Sequence, residues 1–221
     1  MESPSTSPEG GLLDRRISRR SALRSAALGS VALGAGGIGA VALATNAQAE
    51  IVLPTLSATA TDADRKLLGF LTSLELAAAT AYGLVPATKL VSAANLATLA
   101  VFGDHHTQHA AGYTGFAGAD SVTAPNATLL KEMTSAINEA KDVRDLFGAL
   151  SELEDRLAAT GSFALSQLEG TDGAKRVASV MNIDARTSVV LAGLAGKATT
   201  DYLPTFQSVA EAFAVADYPV E

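Results

Sequence analysis

Four long stretches of this chain repeat apolar residues with helical spacing, and each carries a polar residue midway along its apolar face. On the first, Leu68, Leu71, Glu75, Ala78 and Tyr82 share a face. On the second the stripe is Leu99, Phe102, His106, His109, Tyr113 and Phe116. The third runs Phe147, Leu150, Glu154, Leu157, Gly161, Ala164 and Leu168, and the fourth Val177, Val180, Asp184, Thr187, Leu191 and Leu194. No segment alternates like a strand for long, so the expected fold class is all-α. The turn signals place the helices at about 62–84, closed by Gly83 and Pro86, at 93–117, closed by Gly118, at 141–168, closed by Gly170, and at 172–194, closed by Gly196. Thr61 or Asp62 is the expected cap of the first. A shorter helix after Pro125 puts Leu129, Leu130, Met133 and Ile137 on one side. The remainder to Glu221 reads as a tail laid over the helices, anchored by Tyr202, Phe206 and Phe213.

A lone buried carboxylate costs several kcal/mol, on the order given by ion transfer into a protein interior, unless something pairs with it. Four helices that each bury a polar group at mid-length can bring those groups to one level, and a metal ion satisfies such a cluster. The alternative is that Glu75, Glu154 and Asp184 lie at stripe edges and reach solvent or Arg156 and Arg186. Histidine sharpens the choice. All three histidines fall within five residues, and His106 and His109 are spaced i, i+3, so both face inward. His105 is on the flank, within reach of His109 at i+4. Two imidazoles with Glu75 make a two-His-one-carboxylate set, which suits Fe, Mn or Zn.

Residues 1–49 read as an address. They hold five arginines against three acids, whereas residues 50–221 hold 11 basic and 20 acidic side chains. Ser18-Arg19-Arg20-Ser21-Ala22-Leu23 resembles a twin-arginine export signal. An apolar stretch from Ala26 to about Ala44 follows, and Ala47-Gln48-Ala49 is the small-x-small pattern of a cleavage site. The expected route uses the twin-arginine translocation machinery through Arg19 and Arg20, to the periplasm, cell wall or extracellular space. Gly34-Ala35-Gly36-Gly37-Ile38-Gly39 matches a dinucleotide fingerprint by letter, but that fingerprint has meaning only between a strand and a helix, and here it lies inside the expected export signal. Cysteine is absent, which excludes disulfides, thiolate metal sites and a cysteine nucleophile. A formal net charge of −7 provides no basic footprint for nucleic acid.

With residues 50–60 as a linker, 61–197 form the expected domain and 198–221 its tail. Several strings in it, His105-His106-Thr107-Gln108-His109-Ala110, Leu153-Glu154-Asp155 and Ile183-Asp184-Ala185-Arg186, are similar to those of the exported ferritin-like domain proteins of actinobacteria. The resemblance covers about residues 60–204. It implies a ferritin-like four-helix bundle with a long crossover carrying a short helix. It also implies a metal set of Glu75, His106, His109, Glu154 and Asp184. Glu75, His109 and Glu154 fall on ligand positions of that family. His106 stands where its di-iron members have a bridging Glu, Asp184 is shorter than the other bridging Glu, and Thr187 replaces the second His. One ion, or none, is therefore expected rather than a di-iron centre.

Three functions remain open on the sequence: an exported protein holding one Fe, Mn or Zn ion; a metal-free helical module acting structurally or as an interaction partner in the cell envelope; and a di-iron oxidase with altered ligands. An enzyme of this kind would be a metal-dependent oxidoreductase. No organic cofactor is expected, and a homo-oligomer or an envelope protein is a possible partner.

Overall fold

The computed structural model describes residues 60–202 and 208–220. The expected export signal, the linker up to residue 59 and Phe206 lie outside the described residues. The described chain is mainly helical, with no strand among the described residues. The helices are α1 (Asp62–Thr88), α2 (Ala93–Ala117), α3 (Ala127–Glu139), α4 (Val143–Leu165), α5 (Thr171–Leu194) and the single turn α6 (Thr199–Tyr202).

Caps fix where these helices begin. Thr61 accepts from the Asp64 N–H while the Asp64 carboxylate accepts from the Thr61 N–H, a reciprocal capping box. The same carboxylate, buried, takes the Glu169 and Gly170 N–H groups at 3.0 and 2.9 Å, tying the α4–α5 turn to the start of α1. Ser92, Asn126 and Asp142 cap α2, α3 and α4 through side-chain oxygens.

Several boundaries differ from the sequence expectation. Helix α1 passes Gly83 and Pro86 and ends at Thr88, where Lys89 adopts a left-handed backbone (φ 58°). A proline in the last turn removes a single hydrogen bond, which packing of Val85 and Tyr82 outweighs. Helix α4 is shorter than expected at both ends, because Asp142 caps it and the chain turns after Leu165. Gly170 starts α5 rather than closing α4. Leu194, expected inward, is exposed at the end of α5.

Helices α1 and α2 pack along each other, as do α4 and α5; α2 also meets α5, and α1 meets α3 and α4. The α4–α5 contact is close because its residues are small. Ser151 and Ser188 each donate to the other's carbonyl, at 3.1 and 3.0 Å. A Cβ at Gly161 would lie 2.7 Å from the Met181 Cβ. By length and composition α1 and α5 would each pass as a membrane span, although most of that stretch of α1 is covered by protein.

The apolar interior is divided in two. The larger cluster includes Leu74, Ala78, Tyr82, Leu99, Leu150, Leu153, Leu157 and Leu191. The smaller includes Leu68, Leu71, Tyr113, Phe116, Val177 and Val180. Along α2 and α5 the chain passes from one cluster to the other at His106 and His109 and at Asp184, and along α1 the two clusters meet between Phe70 and Leu74, just before Glu75. The mid-stripe polar residues thus form a layer between two dry cores. The tail closes over α3 and α4: Phe213 and Tyr218 are buried, Arg156 lies 4.0 Å over the Phe213 ring, and Asn126 donates to the Tyr218 and Pro219 carbonyls. Of the expected anchors Phe213 is buried and Tyr202 is half-buried, while Tyr218 was not foreseen.

Candidate metal centre

Glu75 comes from α1, His106 and His109 from α2, Glu154 from α4 and Asp184 from α5. Glu75, His106, Glu154 and Asp184 are each at most 3% exposed. His106 Nδ1 lies 2.7 Å from Glu75 Oε2, and its Nε2 lies 2.9 Å from Glu154 Oε1. His109 Nδ1 stands 3.4 Å from the same Glu75 oxygen and 3.3 Å from Asp184 Oδ1. The ion pairs of these acids among the described residues are with histidine, and none is with Lys or Arg. Arg156 is instead taken by Tyr218 at 3.0 Å and Glu132 at 3.9 Å, and Arg186 is exposed.

Four of the five expected residues converge. One ligand atom each from Glu75, His106, His109 and Asp184 fall within 4.8 Å of one another. Glu154 is brought to the cluster but stands behind it, on the far edge of the His106 ring. Its neighbours Leu153 and Leu157 belong to the larger apolar cluster. Tyr82 was read only as a residue of the α1 stripe. Its hydroxyl donates to Glu154 Oε1, and its ring stacks on His106 with centroids 5.3 Å apart. The signal for it was present, since Tyr82 lies seven residues, two turns, after Glu75 on the same face.

Electrostatics at the layer follow from burial and pairing. Burial works against the charge on Glu75, but the hydrogen bond from His106 and the His109 imidazole 3.4 Å away outweigh it and hold the carboxyl below its ordinary value. Burial also opposes charge on the imidazoles. The carboxylates win there as well: Glu154 and Glu75 raise His106 well above its usual value, and Asp184 and Glu75 bring His109 to about 9. Asp184 goes the other way, pushed up to about 7 by burial and the Glu75 charge, with His109 pulling against them. Burial, then the Glu154 charge, raises the Tyr82 phenol well above its normal range.

The residues fit a divalent cation. His109 Nδ1, Asp184 Oδ1 and Glu154 Oε2 are buried without a well-aligned hydrogen-bond partner. The first two face the space shared by the four converging side chains. Unmade hydrogen bonds of this kind are costly in an interior, and a cation relieves two of them together. Metal–ligand bonds of about 2.1 Å place tetrahedral ligand atoms roughly 3.4 Å apart, close to the 3.3 and 3.4 Å separations of His109 from its neighbours. One divalent ion would replace the two protons that the imidazoles carry, leaving the charge of the layer unchanged. His106 would then bind through Nδ1 and donate Nε2–H to Glu154. Such a carboxylate fixes the tautomer and the orientation of a ligand imidazole.

Comparison with protein-family models, with curated proteins and with solved structures finds no match to this chain. The functional reading therefore rests on the geometry of the layer.

Proposed function

We propose that this protein holds a single divalent metal ion, Fe, Mn or Zn, in the buried layer between its helices. Glu75, His106, His109 and Asp184 are the ligands, and Glu154 and Tyr82 position His106. The observation that carries the reading is the convergence of two imidazoles and two carboxylates from three helices, with two of their ligand atoms, His109 Nδ1 and Asp184 Oδ1, buried 3.3 Å apart without a well-aligned hydrogen bond. The nitrogen and oxygen donor set suits these metals, and the absence of thiolates disfavours softer ions. On this reading the helices are a ferritin-like four-helix bundle, with α3 in the crossover between α2 and α4. The chain is exported by the twin-arginine route, with Arg19 and Arg20 as its signal.

Binding is favoured over oxidase chemistry. Thr187 stands where a second histidine would be needed, and a di-iron centre would need bridging glutamates that His106 and Asp184 replace. A metal-free structural or interaction module is the second reading, and one observation favours it: both His106 nitrogens already have carboxylate partners. Thermal unfolding distinguishes the two. A ion that binds only the native state raises its melting temperature by mass action. The metal reading predicts a fall with chelator and a rise with added Fe, Mn or Zn. A melting temperature that ignores both supports the metal-free module.

A further inference from the structure

We propose that His105 is the residue through which a divalent cation reaches and leaves the buried layer, handing it to His109. The inference rests on the metal-centre reading and adds a path to it. The side chains of Glu75, His106 and Asp184 are 4%, 2% and 3% exposed, so none of them meets an ion in solvent. His109, at 12%, is the one ligand with an open flank. His105 lies one turn before it on α2, with the two rings 6.2 Å apart and inclined by 26°. It is half-buried: part of the ring touches solvent, and Nδ1 lies on its covered side. Phe102 packs against it at 6.3 Å and holds the ring in place.

His105 Nδ1 is buried and has no hydrogen-bond partner. Packing alone does not account for that. A phenyl ring would fill the same volume without an unmade hydrogen bond, and an imidazole differs from it in offering a nitrogen lone pair. A hydrated divalent ion gives up its waters only as other ligands take their place, because stripping a bare ion for burial is prohibitive. An imidazole beside His109 supplies the first replacement. His109 supplies the next, and Asp184 and Glu75 follow. The three histidines then divide the work: His106 is fixed on both nitrogens, His109 stands beside Glu75 and Asp184 without a hydrogen bond to either, and His105 is left to receive.

A residue on the path, rather than in the site, changes rates and not the equilibrium. Stopped-flow mixing with Co²⁺ alone, followed by the absorbance of the bound ion, gives uptake. Release follows from mixing the loaded protein with excess chelator. His105→Phe keeps the ring packing and removes the lone pair. It should slow uptake and release by the same factor, roughly tenfold, with Kd unchanged. His105→Asp loses the ring but keeps a cation ligand, and should stay near the wild-type rates. Wild-type rates in His105→Phe would overturn the proposal while leaving the metal centre standing. So would weaker binding with unchanged uptake, which would make His105 a resident ligand. A wild-type protein that takes up no Co²⁺ would end the metal-centre reading and this path with it.

Discussion

Raising the pH on the metal-free protein tests the charge arrangement of the layer without any substitution. His109 has a folded pKa of about 9, above the ordinary 6.5 that it regains on unfolding. A group raised in this way contributes stability that is fully present below pH 6.5 and is lost as the pH rises through 9. Its shift corresponds to about 3 kcal/mol. His106 is raised as well and acts with the same sign. Asp184, raised from 3.8 to about 7, keeps its proton on folding, so its share is lost between those values and is already gone through most of the window. Glu75 is lowered, and what it contributes is lost only in acid. Between pH 6.5 and 9 the metal-free protein should therefore lose the about 3 kcal/mol of His109, roughly 6–12 °C of melting temperature for a domain of this size, and the His106 share adds to that loss. With Zn²⁺ present the slope should reverse, since the ion displaces protons and binds more tightly as the pH rises. Scanning calorimetry in chelator and in excess Zn²⁺, at half-unit pH steps, reads both curves. A metal-free melting temperature that stays flat from pH 6.5 to 9 would refute the assignment of raised imidazoles to this layer, and His109→Gln should make the curve shallower, leaving the slope that His106 supplies.

Other outcomes follow from single contacts. Tyr82→Phe removes the donor to Glu154 and should cost about 1–2 kcal/mol in chemical unfolding, while ion stoichiometry stays at the wild-type value. Gly161→Leu forces α4 away from Met181 and should destabilise by about 1–3 kcal/mol in the same assay, more than Gly148→Leu, where a Cβ meets nothing within 4 Å. Changing Arg19 and Arg20 together to lysine should leave uncleaved precursor in the cell on fractionation and immunoblotting, whereas normal export would point to Arg15 and Arg16 or to another route.

The helices and their inward faces were legible because period and caps agree. The apolar spacing of Leu150, Leu157 and Ala164, or of Val177, Val180 and Leu191, admits one buried face, and Thr61, Ser92 and Asn126 sit where caps are wanted. The convergence of Glu75, His106, His109 and Asp184 was legible for the same reason, as mid-stripe polar residues on neighbouring helices. What the pattern lacks is the axial offset between helices. Glu154 accordingly meets His106 Nε2 and Tyr82 instead of joining the other four ligand atoms. Boundaries failed where long-range contacts outrank local signals. Pro86 remains helical because Val85 and Tyr82, in the turn before it, are buried, and Gly170 starts a helix because Asp64, over a hundred residues earlier, holds its N–H. Tyr218 was invisible as an anchor because its partners, Arg156 and Glu132, are distant in sequence.

Metal content of the purified wild-type protein, set beside Glu75→Ala and His109→Ala, tests the central claim most directly. Inductively coupled plasma mass spectrometry, after dialysis against Fe²⁺, Mn²⁺ or Zn²⁺ and removal of loose ions, gives ions per chain. One ion per wild-type chain and a near-complete loss in both variants is the predicted result, with the variants' helical circular dichroism retained. A wild-type chain that holds no ion, or variants that hold as much as the wild type, would contradict it.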